Sequence, residues 1–187
     1  MGKLIYTAIM SLDGFVEDRD GKFDWAMPDD EVHSCVNNLE LGIGTYLLGR
    51  RMYQTMAVWD QIYGQTDLVK VMRDYAAIWH GMDKIVYSGT LDHATTDRTR
   101  IERVFDPQEV RQMKVHAAEN LSVGGAELAG EALRAGLVDE IHLFISPVLV
   151  GGGKRALPEM DATTLEMLGQ QSFGNGVVHL HYAVKEP

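Results

Sequence analysis

The sequence predicts an α/β fold with a mostly parallel central sheet, helices on both of its faces, and an antiparallel hairpin at the C-terminal end. Three observations carry that expectation. Short apolar runs bounded by glycine alternate with stretches of helical spacing along the chain. Each alternation implies a crossover, and crossovers join parallel strands. Near the end, Gly174-Asn175-Gly176 separates two strand-like segments, which is a hairpin signal.

Leu4 to Met10 is the first strand, closed by the turn residues Asp13-Gly14. Residues 11–28 are loop-like. Val32, Cys35, Val36 and Leu39 then fall on one helical face that ends at Leu41-Gly42. Thr45 to Leu48 is a short buried strand ending at Gly49, and a short helix follows from Arg50 to Ala57. Leu68, Val71, Met72, Tyr75 and Ile78 stripe a third helix over residues 67–79. Lys84 to Tyr87 is a strand, with a minor one near Ile101. Asp106 caps a helix that begins at Pro107 and runs to Glu119. Leu121 to Val123 is a strand, and Gly124-Gly125 opens a helix that stops at Gly136. Strands follow at Glu140 to Leu149, Thr164 to Phe173 and Val177 to Val184. The expected unit is one domain, residues 1–187.

Composition narrows the function. A net charge of −10 argues against nucleic acid, which requires a basic face. An anionic ligand remains compatible, because a site's charge is local. The single cysteine, Cys35, cannot form an internal disulfide. No apolar run reaches the roughly 20 residues of a membrane helix, and the N-terminal run lacks a signal-peptide pattern. The expectation is a cytoplasmic protein with a small-molecule substrate and no membrane partner.

In open α/β sheets, ligands gather beyond the carboxyl ends of strands. Four such ends carry suitable residues: Met10 to Gly14, Gly49-Arg50-Arg51, Ser88-Gly89-Thr90 and Gly124-Gly125-Ala126. The paired glycines leave room for a pyrophosphate at a helix start, while Arg50 and Ser88 suit a further ribose phosphate. A tight turn and a solvent-facing arginine are the plainer readings of the same residues.

Ser11-Leu12-Asp13-Gly14-Phe15, Leu47-Leu48-Gly49-Arg50-Arg51-Met52-Tyr53, Val86-Tyr87-Ser88-Gly89-Thr90-Leu91 and Val123-Gly124-Gly125-Ala126-Glu127-Leu128 resemble, in order and spacing, motifs of one family. Ala135 to Glu140 and Pro147 to Gly151 extend the likeness. The chain resembles the reductase domain of the bifunctional riboflavin-biosynthesis deaminase–reductase and, more broadly, the dihydrofolate-reductase-like family. That resemblance implies a three-layer sandwich that binds NADPH through Gly49, Arg50, Ser88, Thr90, Gly124, Gly125, Ala126, Glu127 and Leu128. It places the nicotinamide near Met10 and Trp25, and implies a cis bond at Gly124-Gly125. Hydride transfer to a pyrimidine- or pterin-like heterocycle, or to a carbonyl, is the implied reaction. Asp13 and Asp30 are the two candidate proton donors, each also explicable as a turn or helix-start residue. Ser11, Tyr53 and Ser122 are candidate substrate contacts.

The alternatives are a non-catalytic NADPH- or nucleotide-binding protein and a dihydrofolate or pterin reductase proper. Folate is disfavoured, since no arginine or tyrosine follows Gly124-Gly125. A homodimer through the last hairpin is expected by analogy. Gly151-Gly152-Gly153-Lys154 lacks the spacing of a P-loop. His179 and His181 share a strand face with no third ligand evident, so an exposed face and no metal is the expectation.

Overall fold

The computed structural model describes residues 1–185, so the expected unit extends two residues beyond them. Its core is an eight-stranded sheet. The strands are β1 (Leu4–Ser11), β3 (Ile43–Gly49), β4 (Asp83–Tyr87), β5 (Thr99–Glu102), β6 (Asn120–Gly124), β7 (Glu140–Ser146), β9 (Leu165–Ser172) and β10 (Val178–Val184), in the order β5-β4-β3-β6-β1-β7-β10-β9. From β5 to β7 every pairing is parallel, and β10 then joins β7 and β9 antiparallel. The fold class follows the expectation drawn from the alternating pattern.

Side-chain alternation explains the layers. Leu4, Tyr6, Ala8 and Met10 of β1 pack on one face with Leu47, Ile85, Leu121 and Val123. That face is covered by α5 (Pro107–His116), through Val110, and by α6 (Ala126–Arg134), through Leu128, Ala129, Ala132 and Leu133. The opposite face carries Ile5, Tyr46, Leu48 and Val86. It is covered by α1 (Asp30–Glu40), α2 (Arg50–Met56) and α4 (Lys70–Gly81), which contribute Val32, Tyr53, Tyr75 and Trp79. The near-continuous apolar strands are what a sheet buried on both faces requires.

The N-caps are local and legible. Asp29 accepts from Val32 N at the start of α1, and Asp106 accepts from Gln108 N ahead of Pro107. A one-turn helix, α3 (Val58–Gln61), and a two-stranded ribbon of β2 (Phe15–Glu17) with β8 (Lys154–Arg155) were not foreseen. Such short segments cannot show periodicity. No helix among the described residues is long and apolar enough to cross a membrane.

Candidate active site

Parallel pairing brings the carboxyl ends of β3, β4 and β6 side by side. Gly49 stands opposite Tyr87, and Leu48 opposite Gly124. Beyond them opens a cleft of about 420 Å³. Gly49, Arg50, Ser88, Thr90, Gly125, Ala126, Glu127 and Leu128 line it, so strand ends distant in sequence share one crevice. Arg51 and Gly89, from the same two strand ends, complete the wall with Met52, Tyr87, Arg103, Phe105, Glu131 and Lys154, the last six of which the sequence motifs do not single out. A larger depression of about 600 Å³ between β5 and α5 is lined by Arg100, Glu102, Gln108 and Glu109 among others. It has no glycine turn and lies at the edge of the sheet.

The cleft's local charge departs from that of the chain. Four cations, Arg50, Arg51, Arg103 and Lys154, face two carboxylates, Glu127 and Glu131. Lys154 is committed to Glu17 and Glu127 at 3.2 and 3.0 Å, and that bond holds the Glu127 carboxyl below its ordinary range. Arg103 Nη1 donates to Ser88 O and Leu91 O, fixing the loop after β4. Among the described residues, Arg50 and Arg51 form no ion pair. The Ser88 hydroxyl oxygen accepts from Thr90 N and Leu91 N, which leaves its proton to donate.

The glycine pair works through backbone shape. Gly125 has φ +94, a region that side chains avoid, and it caps α6 with no side chain in the way. The first N–H groups of α6 therefore point out unmasked, a setting that suits phosphate. A Cβ on Gly124 would lie 2.7 Å from Leu48 Cδ2 and 3.2 Å from Met52 Cγ, so any side chain there would have to push buried neighbours aside. The expected cis bond is not found: every peptide bond among the described residues is trans, and the turn is made by the positive φ instead.

An NADP-type cofactor fits these residues on one structural observation. The Tyr87 hydroxyl is buried and has no hydrogen-bond partner among the described residues, yet its residue lines the cleft. Burial pushes this phenol up to about 12, so it stays a neutral donor. An unsatisfied buried donor costs stability unless a ligand meets it.

Several expected residues sit elsewhere. Tyr53 is 1% exposed, and its hydroxyl accepts from Thr95 N and Thr96 N at 2.8 and 3.1 Å. It pins the loop after β4 and presents no wall to a substrate. Asp13 accepts from Val150 N and Gly151 N at 3.2 and 2.7 Å. A bond with Ser11, together with those two amides, holds its carboxyl below the usual range, so it clasps a loop and is a poor acid. Asp30 is exposed on the first turn of α1, away from the cleft lining. Ser11 is fully buried and accepts from Phe15 N, while Ser122 and Met10 are core residues. Trp25 lies in the 3-10 turn Asp24–Ala26 beside β1, with a buried indole N–H that has no partner among the described residues. His179 is buried and His181 half-buried, because their rings stack with His142 and Phe144 of β7 on the same face. The expected exposed face is not there.

Three comparisons bear on identity. YyaP of Bacillus subtilis strain 168, an uncharacterized protein, is 27% identical over 185 residues, covering 96% of this chain and 94% of that one. A solved structure from Corynebacterium diphtheriae, a pyrimidine reductase-like protein, superposes with a TM-score of 0.68 at 15% identity, covering 100% of this chain and 93% of the other. The diaminohydroxyphosphoribosylaminopyrimidine deaminase/5-amino-6-(5-phosphoribosylamino)uracil reductase of Thermotoga maritima gives 0.67 at 14% identity, covering 98% of this chain but 57% of that longer one. At such identities the two structures speak for the fold. Residues 2–179 match the RibD C-terminal domain, and on that match the chain belongs to the RibD C-terminal domain family.

Proposed function

We infer that the chain is an NADPH-dependent reductase of the pyrimidine-reductase type, acting on a small heterocycle with a polarised C=N or C=O bond. The observation that carries this reading is the single crevice shared by Gly49-Arg50, Ser88-Gly89-Thr90 and Gly125 to Leu128, cationic in a protein of net charge −10. When bound, NADPH supplies the hydride.

The chain's own residues supply binding and orientation. Arg50 and Arg51, without carboxylate partners among the described residues, neutralise phosphate charge. The start of α6 offers backbone N–H donors, and Ser88 offers a hydroxyl proton. Tyr87 provides a neutral donor within the wall. Among the two carboxylates considered as acids, Asp13 is held ionised by its loop and Asp30 faces water, so neither is assigned proton donation in this reading.

The clean test uses Gly89. It lines the cleft, and a Cβ there meets nothing within 4 Å. Gly89→Leu fills the crevice without backbone strain, so NADPH affinity should fall by about 100-fold or more, which corresponds to at least 2.7 kcal/mol. The melting midpoint should stay near that of the wild type. Unchanged NADPH affinity in a folded Gly89→Leu variant would remove the cleft as the cofactor site. Turnover of ribosylaminopyrimidines against pterins then sorts the substrate class.

A further inference from the structure

At the amino end of the sheet, away from the cleft, β7 and β10 gather ionisable side chains on one face. Glu140 and His142 project from β7, and His179 and His181 from β10. The antiparallel register sets His181 opposite His142 and Ala183 opposite Glu140. The His142 and His181 rings stack with centroids 3.9 Å apart. His181 Nε2 lies 3.0 Å from Glu140 Oε2, and His142 Nδ1 lies 2.9 Å from His179 Nε2. One donor atom from each of Glu140, His142 and His181 falls within 4.8 Å of the other two.

We propose that Glu140, His142 and His181 form a binding site for one divalent transition-metal ion, with His179 orienting His142. Two imidazoles and a carboxylate suit Zn²⁺, Ni²⁺ or Cu²⁺ and leave a position for water. The bond from His179 fixes the His142 ring and its tautomer, the role that outer partners of metal-bound histidines play. Phe144 stacks on His179 at 4.3 Å and holds that ring in turn. The His181 side chain is 25% exposed, which gives an ion a path in and lets the ring turn. The ion replaces the hydrogen bond between His181 and Glu140 with a bond to each. Lys3 Nζ, 2.5 Å from Glu140 Oε1, competes for the carboxylate. An ion held here staples β7 to β10, independent of the cofactor cleft.

The experiment is a calorimetric titration of tag-free, chelator-stripped protein with Zn²⁺, alongside Co²⁺ absorption as a readout of ligation. The wild type should take up one Zn²⁺ per chain and release it to a chelator. His181→Gln and His142→Ala should each weaken uptake by about 100-fold, and His179→Phe by about 10-fold. His142 is buried and its variant can fail to fold, whereas His181 is accessible, so His181→Gln carries the test. Lys3→Met removes the competitor and should tighten binding several-fold, an effect that a purely structural cluster would not produce. Absence of saturable Zn²⁺ uptake by the folded wild type, or uptake unchanged in His181→Gln, overturns the proposal.

Discussion

At the carboxyl end of the sheet Arg50 and Arg51 stand without a carboxylate among the described residues, whereas at the amino end Glu140 is held between Lys3 and His181. Strand direction explains the contrast. Parallel strands place the helix starts, with their unpaired N–H groups, at the carboxyl end, which favours anions. Helix ends, with unpaired carbonyls, collect at the other. There, cations of the chain itself satisfy them. Lys84 Nζ donates to Trp79 O and Met82 O at the end of α4, and Lys114 Nζ to Leu137 O after α6. One end is left open to an anionic ligand, and at the other the free carbonyls are closed off by the chain's own cations. Net charge does not distinguish the two.

The largest blow to this contrast is Gly124→Val. Its side chain would meet Leu48 Cδ2 at 2.7 Å and Met52 Cγ at 3.2 Å, and overpacking should cost about 3 kcal/mol in urea unfolding. An unshifted midpoint would show that the open end is not close-packed beneath the cleft. Next comes Arg50→Ala. Loss of a charge-assisted contact should weaken NADPH by about 2 kcal/mol, roughly 30-fold, and NADH by less. Equal losses in fluorescence titrations would mean that Arg50 does not read the extra phosphate.

Glu40, at the end of α1, tests the closed end. Burial pushes its carboxyl up to about 7, against which the Tyr46 hydroxyl donates at 2.8 Å. A folded value above the unfolded one means that its stabilisation is full at acid pH and lost as pH rises through 7. Glu40→Gln should therefore gain about 1–2 kcal/mol at pH 8, after the cost of placing the amide, and little near pH 4.5. A gain of the same size at both pH values would contradict a raised carboxyl. The smallest expected effect is at Tyr87. Tyr87→Phe removes a donor that is orphaned in the free protein, so stability should hold while NADPH binding weakens by about 1 kcal/mol, near 5-fold. A fall in melting temperature would reveal an internal partner for the hydroxyl.

Much of the cleft could be read from the sequence because its parts follow strand ends directly. Gly49-Arg50, Ser88-Gly89-Thr90 and Gly124-Gly125 each sit where an apolar run stops, and the structure lines them up along neighbouring strands. Arg51 stood in the same motif, and its adjacency to Arg50 was the available signal. Arg103 and Phe105 carried none, since they follow the weakly patterned strand β5. Lys154 follows a glycine run that lacks P-loop spacing. The ribbon of β2 with β8 brings it to the cleft, where it pairs with Glu127.

Tyr53 and the two aspartates show the opposite case. A tyrosine beside a Gly-Arg motif and an aspartate after a strand have the composition of site residues. Which partner each one meets depends on loops that close over it, and the amides of Thr95 and Gly151 lie 42 and 138 residues away. The histidines are similar. Spacing put His179 and His181 on one strand face, but the register against β7 brought His142 and Glu140 beside them.

The sequence by itself determined the order of strands and helices, the helix starts at Asp29 and Asp106, the hairpin, and the positions of the glycine turns. These rest on contacts within a few residues, where periodicity and backbone preference act directly. The tertiary structure alone decided that β6 inserts between β1 and β3, that Arg103 and Lys154 share a wall, and that four side chains of β7 and β10 meet. Those outcomes depend on strand order and register, which are set by burying both faces of one sheet at once and so belong to no single segment.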